Sequence, residues 1–171
     1  MTEPGPTVPD APSRSGATAG GAVRAASAAD APAVAAAIEA LLIELGGERP
    51  SSAELEAAAR RLAGDAEIGA LLVAEAGGEL VGVLAASWQY ALHVPGRYGT
   101  IQDLWVDPEW RGRAIGAELI LALVRDAGEA GIPRLEVGLP QQGFAGLRDT
   151  ERFYRANGFS PLGPRMRRPL S

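Results

Sequence analysis

Residues 101–120 read IQDLWVDPEWRGRAIGAELI, and their order sets up a recognisable piece of chemistry. An apolar, β-branched run from Ile101 to Val106 stops at Asp107-Pro108. A short polar loop, Glu109 to Arg113, follows, and a helical pattern starts abruptly at Ala114-Ile115-Gly116. A strand, a loop holding Arg111-Gly112-Arg113 and a helix N-terminus together make an anion site. The first-turn N–H groups lack helical acceptors, and the helix dipole favours negative charge beside them. A ligand carrying phosphate suits such a loop. Dinucleotide binding would need Gly-x-Gly-x-x-Gly directly after the strand, and only Gly112 and Gly116 are present. A P-loop would need a lysine, and all sixteen basic residues are arginine. The chain has no cysteine, so a disulfide framework, a zinc-thiolate site and a cysteine nucleophile are excluded.

The elements that must position this loop follow from hydrophobic spacing. Residues 1–21 are rich in Pro, Gly, Ala, Ser and Thr, cannot bury enough surface to offset ordering, and read as a disordered tail. A single domain is expected over residues 22–171. Ala22 to Ala26 reads as a short strand. Asp30 and Pro32 open a helix through Val34, Ile38, Leu41 and Leu45, which Gly46-Gly47 ends. Ser51 to Glu54 is a capping box for a second helix. Leu71 to Ala76 and Leu80 to about Leu92 are strands joined by a Gly77-Gly78 turn. His93 to Gly96 reads as a turn before a strand from Gly99 to Val106. A helix over Ala114–Ala130 and a strand over Arg134–Leu139 come next. Asp149 or Thr150 caps a helix over Glu151–Asn157, and Phe159 to about Met166 reads as a last strand. Three sequential strands imply an antiparallel meander, and strand–helix–strand over 99–139 implies a right-handed parallel crossover. The fold class is mixed α/β: three layers around one central, mostly antiparallel sheet.

Bulk properties narrow the partners. A net charge of −5 argues against nucleic acid and against an anionic membrane surface. No apolar run reaches the length of a membrane span. The N-terminus lacks the charged-then-apolar layout of a secretory signal, so a cytoplasmic protein is expected.

A second phrase, Glu151-Arg152-Phe153-Tyr154-Arg155-Ala156-Asn157-Gly158-Phe159, lies about forty residues after the loop. With Arg111-Gly112-Arg113-Ala114-Ile115-Gly116 and the preceding VDPEWRG, it resembles the GNAT superfamily of acetyl-CoA-dependent N-acetyltransferases. That family carries (Gln/Arg)-x-x-Gly-x-(Gly/Ala) between strand and helix, then a phrase like FYxxxGF. The likeness in element order covers residues 22–166. Ala114 stands where the family has its central glycine. If Ala114 is already helical its methyl group points away, and binding is expected to survive.

The resemblance implies that coenzyme A pyrophosphate lies on backbone N–H groups from Arg111 to Gly116, through Gly112, Arg113, Ala114 and Ile115. It implies that the pantetheine arm pairs with main-chain groups of Leu104, Trp105 and Val106. Acetyl-CoA would be a co-substrate, with no metal. The reaction implied is direct attack of a primary amine on the thioester through a tetrahedral intermediate. Tyr154 occupies the position of the acid that protonates the leaving thiol. Asp103 is a candidate base, or a holder of the substrate ammonium. Strand alternation would put Ile101, Asp103 and Trp105 on one face, and Gln102, Leu104 and Val106 on the other. His93, the only histidine, reads as solvated. Trp88, Tyr90 and Trp105 would flank an acceptor site, and Pro140 to Arg148 reads as a specificity loop. The acceptor is expected to be a small-molecule amine, with protein N-termini or lysines as the alternative. A non-catalytic acyl-CoA-binding sensor is the rival of different class. A homodimer is compatible with either reading.

Overall fold

The structure, a computed structural model, describes residues 21–163. The expected tail lies outside that range except for Gly21, as do residues 164–166 of the expected last strand and Arg165, Arg167 and Arg168. Five strands form one sheet in the order β1 (Ala22–Ala25), β2 (Gly69–Ala76), β3 (Glu79–Ala91), β4 (Val94–Val106) and β5 (Leu135–Val137). The first four pair antiparallel, and β4 pairs with β5 in parallel, as the crossover rule requires.

Helices α1 (Ala31–Leu45) and α2 (Ser52–Ala63) cover one face, and α3 (Ile115–Glu129) covers the other. Leu72, Leu84, Ile115, Leu119 and Leu123 make the core under α3. Val34, Ala37, Leu71, Val73, Val83 and Trp105 make the core under α1 and α2. The alternation of β2, Leu71 and Val73 one way and Leu72 and Ala74 the other, supplies both layers at once. Helix α4 (Leu147–Ala156) follows β5.

The local signals hold at most ends. Gly46 closes α1 at φ 71°, its N–H reaching the Leu42 and Ile43 carbonyls. Ser51 and Glu54 form the capping box of α2, with the Ser51 N–H 2.8 Å from Glu54 Oε2. Gly77 and Gly78, both at positive φ, turn β2 into β3.

Five expectations are corrected. β4 begins at Val94 rather than Gly99, because Pro95 and Gly96 bulge between the pairs Ala91–Val94 and Tyr90–Arg97 instead of making the turn. β5 is shorter than 134–139, and residues 159–163 form no strand. α4 starts four residues before the expected Glu151: Thr150 Oγ1 bonds back to the Gly146 carbonyl at 3.0 Å and caps nothing. Asp30 precedes α1 without capping it through its side chain.

The Asp30 carboxylate instead accepts from the Ser27 N–H at 2.6 Å and pairs with Arg24 at 2.8 Å, while Arg24 also pairs with Glu75. Arg24, foremost, and the Ser27 N–H hold the Asp30 carboxyl well below the usual aspartate range. The cluster ties β1, β2 and the entry to α1 together. A depressed folded pKa stabilises above the unfolded value of about 3.9 and is lost as pH falls through the folded value. Asp30→Asn is expected to cost about 1 kcal/mol at pH 7, allowing for solvent screening at half-exposed Arg24. The cost shrinks towards zero in strong acid, which thermal melts of both proteins across pH measure.

Candidate active site

Parallel pairing between β4 and β5 lasts three residues, Gly99–Leu135, Thr100–Glu136 and Ile101–Val137, and then ends. At the same point the β3–β4 register slips: Ala86 faces Ile101, Ala85 faces Asp103, and Gln102 is the extra residue. The slip overturns the expected alternation. Ile101 packs under α3 together with Leu104 and Val106, whereas Trp105 packs under α1 and α2. Gln102 turns its amide to Ser87 Oγ, 2.8 Å away.

Where the strands part, a groove of about 680 Å³ opens. Its walls come from β4, the 107–114 loop, the first turn of α3, α4, the segment after β5 and the end of α1. The volume suits a small ligand or a slender arm of a larger one.

The anion end is built by the loop. Asp107 Oδ1 accepts from the Glu109 N–H at 2.8 Å, and Pro108–Trp110 form a short 3-10 turn. Gly112 at φ 76° and Ala114 at φ 65° then swing the chain into α3. The first α-helical bond is Glu118 N–H to the Ala114 carbonyl at 3.0 Å. The N–H groups of Ile115, Gly116 and Ala117 therefore have no partner among the described residues, and all three residues line the groove. These are the groups that would receive a pyrophosphate.

Ala114 is left-handed rather than helical, and it is the one non-glycine residue at positive φ among those described. An alanine there costs about 1–2 kcal/mol. Burial of Ile115, Leu119 and Leu123 beneath α3, each worth about 1.5–3 kcal/mol, outweighs it.

The two arginines separate. Arg111 lines the groove, its Nε donating to the Val106 carbonyl at 3.0 Å and its Nη2 pairing with Glu44 at 2.6 Å. Arg113 stacks on the Trp110 ring at 4.7 Å and is not part of the groove wall. Gly116 has a packing role too: a Cβ there would sit 3.0 Å from the Phe153 ring.

Tyr154 and Asp103, the two candidate catalytic residues, both lie in the groove wall. Tyr154 is 7% exposed, on α4, with Phe153 and Phe159 edge-on at 5.2 and 5.4 Å. Burial, and then the charge of Asp103, push the phenol up to about 12, so it stays protonated and able to donate. Burial also raises the Asp103 carboxyl above its ordinary value. On β4, Trp105 Nε1 is buried with no hydrogen-bond partner among the described residues.

The groove thus unites Asp103, Leu104, Trp105, Val106, Arg111, Gly112, Ala114, Ile115, Gly116 and Tyr154. Pro140, Phe144 and Gly146 of the expected specificity loop join them. His93 is exposed in the hairpin connection, Tyr90 is 79% exposed, and Trp88 bonds the Ala66 carbonyl at 3.0 Å; of the three aromatics only Trp105 reaches the groove. Sequence reasoning missed Leu41, Glu44 and Leu45 at the end of α1. Glu44 did carry a signal, since a carboxylate in a last helical turn opposes the dipole. Among the described residues no group of three or more metal-binding side chains occurs, and no helix is long and apolar enough to cross a membrane.

A family model described as the acetyltransferase (GNAT) family matches residues 36–159. An aminoalkylphosphonate N-acetyltransferase of Salmonella typhimurium is 34% identical over 82 residues, covering 48% of this chain and 51% of that protein. The match thus spans about half the length of that relative. A transcriptional regulator from Bacillus halodurans C-125 superposes with a TM-score of 0.73 at 22% identity, covering 88% of this chain and 99% of that one. An aminoglycoside acetyltransferase from an uncultured soil metagenomic sample gives 0.68 at 21%, covering 88% and 96%. At such identities the two structures establish the fold.

The left-handed alanine gives a direct test of the loop. Ala114→Gly removes a strain of about 1–2 kcal/mol against an unfolded-state entropy cost of about 0.4–1. The thermal midpoint is expected to rise by about 2–4 °C per kcal/mol gained. A fall in calorimetric scans would show that the alanine methyl packs rather than strains.

Proposed function

The chain belongs to the acetyltransferase (GNAT) family and is an acyltransferase, and from that premise we propose that it moves an acetyl group from acetyl-CoA to a primary amine of a small molecule. One observation carries the reading. Unbonded N–H groups at an anion-binding helix start and a buried phenol line the same groove, at the point where β4 and β5 part. The residues fit the donor: the N–H groups of Ile115 to Ala117 meet its pyrophosphate, and the β4 main chain from Leu104 to Val106 borders the space for its arm. Bound acetyl-CoA supplies the activated acyl group. The small-molecule acceptor is supported by the Salmonella relative, whose activity is on an aminoalkylphosphonate.

The chain's own groups divide the proton work. Asp103 faces the incoming amine, holds it as an ammonium and takes its proton before attack. An amine with a pKa near ~10 arrives charged, so the step is needed at neutral pH. Tyr154, kept protonated by burial, donates to the departing sulfur, whose thiol pKa is about 8.5. Its hydroxyl is the weaker acid of the two, so it hydrogen-bonds the departing sulfur and yields its proton only late, when the sulfur carries most of its negative charge. Phe153 and Phe159 fix the ring from either side and restrict water at the phenol.

Acetyl-CoA at about a hundred times its dissociation constant should stabilise the protein by roughly 2.7 kcal/mol in thermal melts. No shift would remove the donor assignment. Tyr154→Phe should lower kcat by about a hundredfold while leaving that shift in place. A shift with no release of coenzyme A across a broad panel of amines, peptide N-termini and lysines would favour the non-catalytic sensor. In pH–rate profiles the acid limb should lie above the ordinary carboxylate value of about 4 and disappear in Asp103→Asn. A limb unchanged in that variant would assign the base elsewhere.

A further inference from the structure

Glu44 sits in the last turn of α1, where the helix dipole disfavours a carboxylate, and α1 has no basic residue in that turn. Its partner comes from far along the chain. Arg111 Nη2 lies 2.6 Å from Glu44 Oε1, while Arg111 Nε donates to the last carbonyl of β4, Val106, at 3.0 Å. The guanidinium therefore reaches from the end of β4 to the end of α1, and both charged side chains line the groove. This contact puts an internal carboxylate–guanidinium pair in the wall of the same groove that the residues with unbonded N–H groups at the start of α3 line. With Nη2 on Glu44 and Nε on Val106, the guanidinium has two of its three nitrogens committed before a phosphate arrives.

We infer that Glu44 stands in for a phosphate while the groove is free of ligand. It is a positioning residue that holds Arg111 across the groove until a phosphorylated donor displaces it. The inference rests on the donor reading above for the identity of the phosphate. Two consequences follow from the geometry. Donor binding frees the Val106 carbonyl from Arg111, making that main-chain acceptor available to amide donors of the arm. It also costs the donor the strength of one half-exposed ion pair, so the pair lowers apparent affinity. Because both groups are partly exposed, the penalty is about two- to fivefold in dissociation constant. It is greatest at low ionic strength, where screening is least.

Calorimetric titration of acetyl-CoA into the wild-type protein, Glu44→Gln, Arg111→Ala and the double variant tests this. Glu44→Gln should bind about two- to fivefold more tightly at low salt, and the gap should close in high salt. In the Arg111→Ala background the same substitution should change nothing. The KM for acetyl-CoA should fall by the same factor while the KM for the acceptor stays in place, a split that a merely structural role of Glu44 would not produce. Unchanged or weaker binding by Glu44→Gln overturns the inference. So does equal tightening with and without Arg111, which would reveal a general field effect rather than a hold on that arginine. Wild-type protein that binds no acetyl-CoA overturns the donor reading first and is thereby distinguished from failure of the Glu44 role alone.

Discussion

The site depends on β4 being unable to satisfy two neighbours along its whole length. β3 follows it for most of its course, but β5 stays only as far as Ile101. Beyond that residue the β5 side of β4 has main-chain groups without a strand to receive them, and such groups cannot be buried unpaired without cost. The opening is therefore a place inside the sheet where an outside molecule can act as a strand. The loop to α3 begins at the end of the same strand, so the anion site and the open strand edge are adjacent by construction. The segment after β5, diverging from β4, makes the opposite wall and leads through Phe144 and Gly146 to α4.

That arrangement is held from both faces of the sheet. Fully buried Leu119 and Leu123 anchor α3 beneath β2 and β3, which lets its first turn keep a left-handed alanine and free N–H groups. On the other face, the α1–α2 pair packs on Val73, Val83 and Trp105 and brings the end of α1 to the groove. The burial energy lies well inside the sheet, whereas the strained or unpaired groups lie at its opening. Trp105 belongs to both: its ring is core, and its indole N–H is left without a partner.

Much of this was legible in the residues. Element order through α4, the meander, the crossover, both glycine turns and the capping box of α2 follow local rules that tertiary contacts did not override. The groove residues on β4 and in the loop were found because a strand, a loop and a helix start are consecutive in the chain. Four features were not legible, each for its own reason. The slip at Gln102 is a single inserted residue, and a period-two pattern read along one strand has no reference for its partner's register. The conformation of Ala114 contradicts the usual preference of its side chain, so residue type pointed to the helix. Glu44 is brought to Arg111 by packing of α1 over the sheet, a contact 67 positions apart that no spacing rule reaches. The start of α4 was misplaced because Asp149 and Thr150 look like caps, yet they bond within the helix and to Arg152.

The contact between Gly116 and Phe153 has a consequence beyond packing. The phosphate loop and the phenol helix are separated by a strand and a long connection, yet the missing Cβ at 116 is the space that the Phe153 ring occupies. Tyr154 is the next residue on that helix. A side chain at position 116 would need the Phe153 ring to give by a few tenths of an ångström, next door to the phenol. The two phrases are thus one packed unit, in which the start of α3 and the aromatic pair of α4 constrain each other.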